Sequence, residues 1–372
     1  MAAPVAFSVE VPEATVARIR ERLQPELVAY APAGDSAWRY GTDATYLRDF
    51  VAYWRDRYDW RAAQRELNRF PQFHCEVEGI RIHFLHVRSG SMPRPTLLLT
   101  HGWPGSTYEF HAAADLLRQK FDLVIPSLPG YGFSGRPAGP IGPRRTAELW
   151  HSLMVEHLGI TRFGVQGGDW GSAVASWLAN DAPEHVVGLH LNLCSPPRGG
   201  EPDEAETAWR AELANVMRAE SAYMMEHMTR PQTIALALAA SAVGYAAWVL
   251  EKFHGWGDTG GNIETRFSKD WLITNLMIHL INDAVPSMIW MYRGALEETM
   301  SGRHRGLCVQ VPTGFAHFPR EFLPPPPRAI AERFYRIVHW TSMQAGGHFA
   351  ALEEPQAFAA DVGAFFGGLG FG

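Results

Sequence analysis

The run Gly167-Gly168-Asp169-Trp170-Gly171 carries the sharpest chemical signal in the chain. It follows a short apolar stretch, Phe163 to Gln166, and matches a small-x-nucleophile-x-small elbow. In such an elbow a strand turns abruptly into a helix and lifts one side chain to the top of a sheet. Glycine suits the turn because backbone segments crowd together there. The raised residue is Asp169, in the place where many elbows hold serine. A carboxylate attacks a saturated carbon and leaves an alkyl ester, whereas a serine hydroxyl attacks an acyl carbon. Ser172 does not fit the elbow spacing, so no serine nucleophile is expected. Taken in isolation the segment also reads as a Gly-rich turn with an aspartate helix cap. Its partners decide between the two.

Hydrolysing an alkyl ester requires an oxyanion hole, a base and a group that orients the base. The turn His101-Gly102-Trp103-Pro104-Gly105-Ser106 follows the apolar run Leu97 to Thr100. Its Trp103 backbone N–H and that of Trp170 are expected to converge on one oxygen. His101 reads as a structural histidine bonded to a neighbouring loop, and Pro104 as a candidate for a cis peptide. Among 16 histidines, His348 in Gly346-Gly347-His348-Phe349 is the one near the C-terminus flanked by glycines. It is the candidate base. Elbow hydrolases run in the order nucleophile, acid, histidine, which directs attention to Glu321, after Val311 to Phe315 and before the prolines Pro324 to Pro327. A solvated loop glutamate is the competing reading of Glu321. Asn192 occupies the other position where an acid could sit, but it carries no charge. Were the attacked carbon part of an epoxide, ring opening would release an alkoxide, to which a phenol can donate. Tyr223, Tyr245 and Tyr292 are candidates, and spacing does not choose among them.

These side chains need a scaffold. Apolar runs at Thr96–Thr100, Phe121–Ile125, Phe163–Gln166, Val186–Leu191, Gly306–Val311 and Phe334–Trp340 alternate with helical stretches. That rhythm predicts an α/β class with a mostly parallel sheet flanked by helices. Phe73–Val77 and Ile80–Val87 flank Glu78-Gly79, a two-residue hairpin signal. The first seventy or so residues read as helical and irregular, with apolar helical spacing at Val16, Ile19 and Leu23 and at Leu47, Phe50, Val51 and Trp54. Between about Ser195 and Met300 helical patterns replace strands, which predicts an inserted helical lid. Thr233 to Leu250 lacks charge, but it is short and only mildly apolar for a bilayer, so a buried helix pair is expected.

Composition excludes other classes. Hydrophobic residues make up 47% and charged residues 19%, an ordinary globular balance. A net charge of −6 argues against nucleic-acid binding. Cys75, Cys194 and Cys308 show neither metal-ligand spacing nor a disulfide framework, which fits a reducing cytoplasm. The N-terminus lacks a signal-peptide pattern, and no membrane role is expected.

Trp60 to Ser89 resembles the N-terminal domain of the epoxide hydrolases of the microsomal type. HGWPGSTYEF, PSLPGYGFS, QGGDWGS, the lid segment TRPQTIALALAASAVGYAAWVLEKF, VPTGFAHFPREF and AGGHFAALEEP follow in that family's order. The resemblance implies an α/β-hydrolase fold, divided into an N-terminal arm packed on the core (1–75), a core (76–195 and 301–372) and a helical cap or lid (196–300). It implies Asp169 as nucleophile, His348 as base, Glu321 as its acid, and Tyr223 and Tyr292 as the oxyanion-stabilising tyrosines. It implies an epoxide and water as reactants, and no metal or organic cofactor. Two departures stand out. No membrane anchor precedes the arm, so a soluble protein is expected, and Ala239 to Ala242 replaces a more polar, proline-containing lid stretch. The lid and arm offer surfaces on which a homodimer could form. A haloalkane dehalogenase, or a small-molecule binder without turnover, is the rival reading on the same fold.

Overall fold

A computed structural model describes residues 3–32, 38–90, 94–194, 196 and 201–372. The chain opens with a strand, β1 (Val5–Phe7), and three helices, α1 (Glu13–Glu21), α2 (Ala44–Asp56) and α3 (Trp60–Leu67). The hairpin β2 (Gln72–Val77) and β3 (Ile80–Val87) comes next. It turns through Glu78 and Gly79 at positive φ, 47° and 82°, as a tight two-residue connection requires. An alternating segment then runs β4 (Thr96–Thr100), α4 (His111–Leu117), β5 (Asp122–Pro126), α5 (Pro143–His151), β6 (Phe163–Gly167), α6 (Trp170–Asp181) and β7 (Val186–Leu191). Six helices interrupt it: α7 (Glu204–Glu220), α8 (Ala222–Thr229), α9 (Pro231–Ala240), α10 (Ala242–Trp256), α11 (Lys269–Leu280) and α12 (Trp290–Met300). The sheet resumes with β8 (Val309–His317), α13 (Arg328–Ala331) and β9 (Tyr335–Ser342), and the chain closes with α14 (Ala350–Glu353) and α15 (Pro355–Gly368).

The strands form one sheet in the order β1-β2-β3-β5-β4-β6-β7-β8-β9, antiparallel up to the β3–β5 pair and parallel from β5 to β9. Each face has its own core, and side-chain alternation divides the central strands between them. Leu97, Leu99, Leu123 and Ile125 pack with α4 and α15, while Leu98 and Val124 pack toward α5, α6 and the inserted helices.

Three expectations need correction. The N-terminal segment is not only helical and irregular, because β1 adds an edge strand beside β2. The strand expected at Gly306–Val311 starts later and runs to His317. It passes Pro312 at a register shift against β9, the kind of irregularity that tolerates a residue without an N–H. The uncharged stretch does form a helix pair, α9 and α10, but only α10 is largely buried. α9 buries Ala235 and Leu238 and leaves Leu236 exposed. Among the described residues no single helix is long and apolar enough to cross a membrane; α9 and α10 qualify only as a pair bent by 116°. The expected core–lid boundary near 195 borders residues outside the described ones.

The N-terminal segment holds the inserted helices as well as the sheet. Tyr53 donates to Asp270 at 2.9 Å, Tyr58 shares a 2.9 Å hydrogen bond with Thr274, and Thr42 donates to the Ala247 carbonyl at 2.6 Å.

Candidate active site

Asp169 joins β6 to α6 with φ 47° and ψ −128°, a conformation an L-residue adopts only when its surroundings compel it. Two glycines let the backbone crowd in. A Cβ on Gly171 would lie 1.9 Å from the Thr100 carbonyl oxygen, and one on Gly102 would lie 2.1 Å from Asp169 Oδ1. The elbow and the turn after β4 are thereby pressed against each other at the C-terminal ends of adjacent parallel strands.

That contact aims donors at the carboxylate. The Trp103 N–H donates to Asp169 Oδ1 at 2.8 Å. Trp170 opens α6, so its N–H has no acceptor within the helix. The Trp103–Pro104 peptide is cis, as the sequence suggested. Helix α11 braces this turn: Asn275 Nδ2 donates to the Pro104 carbonyl at 2.9 Å, and His279 Nε2 lies 3.3 Å from the Gly105 carbonyl. His101 has the structural place expected of it. Its Nε2 accepts from the Leu128 N–H at 3.1 Å, so Nδ1 carries the proton and donates to the Gly102 carbonyl at 3.0 Å. Burial pushes its pKa down to about 4.

His348 and Glu321 meet on the other side. His348 Nδ1 lies 2.9 and 3.1 Å from the two Glu321 oxygens, and both side chains are almost fully buried. His348 Nε2 lies 3.4 Å from Asp169 Oδ2, at ion-pair distance but without hydrogen-bond alignment, and makes no hydrogen bond. Burial opposes a charged imidazole here. The Glu321 and Asp169 carboxylates outweigh it and hold His348 well above its ordinary value. Glu353, which nothing in the sequence singles out, fixes the loop. Its carboxylate accepts the N–H groups of Asp258 at 2.7 Å, Gly347 at 3.0 Å and Phe349 at 2.9 Å.

Two of the three candidate tyrosines face the elbow. Tyr223 on α8 and Tyr292 on α12 meet edge to face with ring centroids 5.8 Å apart. Trp103 stacks on Tyr223 at 5.1 Å, and Trp170 meets Tyr292 edge-on at 4.8 Å. Burial raises the pKa of both phenols. The Asp169 charge adds to this at each, and Tyr223 itself pushes Tyr292 further up, so both remain protonated donors. Tyr245 instead donates to Met288 Sδ at 3.4 Å. Two further groups belong to the site. Tyr131, after β5, is fully buried, its hydroxyl has no hydrogen-bond partner, and the Asp169 charge reinforces the rise that burial causes in its pKa. Glu109 is brought beside Asp169 and His348. They lie inside the segments PSLPGYGFS and HGWPGSTYEF, where neither residue type nor spacing marks them as chemical groups.

The chain is similar to known proteins along nearly its whole length. Residues 4–110 match the family model described as epoxide hydrolase N terminus, and residues 95–222 match the model of the alpha/beta hydrolase fold. Epoxide hydrolase 1 of Sus scrofa is 34% identical, over 97% of this chain and 88% of its own length. The crystal structure of juvenile hormone epoxide hydrolase from the silkworm Bombyx mori superposes with a TM-score of 0.91 at 28% identity, covering 99% of this chain and 95% of that one. The Aspergillus niger epoxide hydrolase structure gives a TM-score of 0.87 at 31% identity, covering 99% and 97%.

Proposed function

Because the chain belongs to the epoxide hydrolase family, we propose that it converts an epoxide and water into a vicinal diol through a covalent ester on Asp169. One observation carries this reading: the two Asp169 oxygens face different machinery. Oδ1 accepts from the Trp103 N–H, and Oδ2 faces His348.

Asp169 Oδ2 attacks one ring carbon in line and the ring C–O bond breaks. Tyr223 and Tyr292 hold the departing oxygen, and one phenol gives it a proton. With the Asp169 charge that raised its pKa removed in the ester, His348 in its neutral form, oriented by Glu321, takes a proton from water as that water attacks Asp169 Cγ. The negative charge gathers on Oδ1, facing the N–H groups of Trp103 and Trp170. Collapse expels the diol oxygen, which takes the proton from His348, and the proton from the restored carboxylic acid returns to the phenolate. Core residues 76–195 and 301–372 supply the nucleophile, base and acid, and the lid, 196–300, supplies the phenols. The cysteines are thiols, not disulfides, which supports a reducing compartment such as the cytoplasm.

One observation favours a second reading, haloalkane dehalogenation. The Trp103 and Trp170 indole N–H groups are buried without hydrogen-bond partners, and a halide would accept them. Intact mass of His348→Gln after exposure to styrene oxide, other epoxides and alkyl bromides separates the two. A mass gain of a whole epoxide on Asp169 is expected. A gain of an alkyl group with bromide lost would favour the dehalogenase, and no adduct on a folded protein would overturn the covalent route.

A further inference from the structure

Behind the nucleophile lies a cavity of about 20 Å³, lined by Gly102, Gly105, Glu109, Asp169, Asn192 and His348 among others, and by no residue of α7–α12. It therefore lies away from Tyr223 and Tyr292, on the core side of Asp169. Its size suits one molecule of water, which requires roughly 10–15 Å³ and two to four polar partners. The polar groups around it are Glu109, Asn192, Asp169 and His348, whose Nε2 makes no hydrogen bond.

We infer that this cavity seats the water that cleaves the ester, and that Glu109 is the positioning residue that holds it between His348 Nε2 and Asp169 Cγ. The inference rests on the covalent reading above. His348 can take the proton, but one nitrogen cannot fix where the water oxygen points. A second contact at an angle to the first can do so. Asn192 accepts from Gln166 Nε2 at 2.8 Å through its Oδ1, which leaves only its amide N–H groups for that task. The Glu109 carboxyl enters the cavity from the turn after Gly105, with one oxygen against the Gly105 Cα: a Cβ there would lie 2.2 Å from Oε2. Glu109 keeps some accessible surface, yet protein encloses it. That enclosure, ahead of the neighbouring Asp169 charge, pushes its carboxyl up to about 8. At neutral pH it is mainly the neutral acid, able both to donate to the water and to accept from it. It adds no second negative charge beside the nucleophile.

The test is single-turnover mixing with styrene oxide, with adduct followed by rapid-quench intact mass. Glu109→Leu keeps a branched side chain of comparable bulk and removes its polarity. Alkylation of Asp169 is expected within threefold of the parent chain, as a rough bound, while ester hydrolysis slows by about 100-fold, the scale on which a misplaced reactant costs rate. Ester should then accumulate although His348 is intact. Glu109→Gln, which resembles the neutral acid, should restore most of the hydrolytic rate. Equal slowing of both steps, unchanged hydrolysis in the leucine variant, or a glutamine variant as slow as the leucine one would each overturn the inference. Should Glu109→Leu fail to fold, Gly105→Ala takes its place, since its methyl displaces the Glu109 carboxyl without changing its chemistry. Unslowed hydrolysis in that variant would equally overturn it. If His348→Gln also forms no ester, the covalent reading itself has failed, so the two failures are distinguishable.

Discussion

The Trp103 N–H donates to Asp169 Oδ1 at 2.8 Å, so the donor proposed for the oxyanion hole already holds the atom on which charge would gather during ester cleavage. The partner oxygen, Oδ2, faces His348 Nε2 at 3.4 Å. One carboxylate is thus divided between a fixed donor and an open side. Such preorganisation avoids rearrangement at the moment of reaction.

This division has an isotopic consequence. In a single turnover in heavy-oxygen water, the new oxygen is expected in Asp169 and not in the diol, because in the proposed route water attacks Cγ and not the substrate carbon. Mass mapping of the Asp169 peptide and of the diol checks this, and label in the first-turnover diol would rule the route out.

Tyr223 and Tyr292 meet edge to face and share one environment. If both hold the departing oxygen, Tyr223→Phe and Tyr292→Phe should each slow alkylation by about 100-fold, the scale of a single acid catalyst. The double variant should lose it almost completely. Hydrolysis of ester already formed should change much less. Rapid-quench rates of the two steps read this directly, and a double variant that alkylates normally would remove both tyrosines from the mechanism.

Glu109 also bears on stability. Its folded-state pKa, about 8, lies above its ordinary 4.5, so the folded protein binds a proton that the unfolded chain has released. The associated stabilisation is fully present below about pH 4.5 and is lost as pH rises through 8. Glu109→Gln should therefore gain stability over the parent between those values and level off above them, by on the order of 1–2 kcal/mol after allowance for solvent in the cavity. Thermal midpoints across pH check the sign, and a gain that shrinks with rising pH would contradict it.

Asp361 works in the opposite sense, far from the elbow in sequence. It lies 2.9 Å from His190 Nε2 and 2.9 Å from His339 Nε2. Burial opposes its ionisation, but these bonds outweigh it and lower its pKa to about 2. Its stabilisation is present above the ordinary carboxylate value of 3.8 and is lost as pH falls through about 2. Burial also lowers the pKa of His190, which therefore bonds mainly as a neutral donor at pH 7, so about 2 kcal/mol is an upper bound. Asp361→Asn should destabilise most at neutral pH and converge with the parent near pH 2 in denaturant titrations. A difference independent of pH would show that packing alone is at stake.

The amino-acid sequence by itself determined what is local. An aspartate between glycines after an apolar run defines the elbow, because the crowding sits within one strand–turn–helix unit. The cis Trp103–Pro104 peptide and the hairpin at Glu78-Gly79 were legible for the same reason: neighbouring residues set their backbone angles. Glu321 was legible through chain order and resemblance, because its 2.9 Å contact with His348 joins the loops that follow two neighbouring strands, β8 and β9.

What only the tertiary structure decided joins segments distant in sequence. Resemblance pointed to Tyr223 and Tyr292, but no spacing within the lid distinguishes them from Tyr245: that they face the elbow while Tyr245 donates to Met288 depends on how α8, α10 and α12 cross over the sheet. β1 is too short to announce itself and exists through pairing with β2. β8 continues past Pro312 because its partner strand absorbs the irregularity. Glu109 and Glu353 look like ordinary acidic residues until the fold brings one beside Asp169 and sets the other under three backbone N–H groups. Burial and neighbouring charge fix the protonation of such groups, and both are properties of the packed chain.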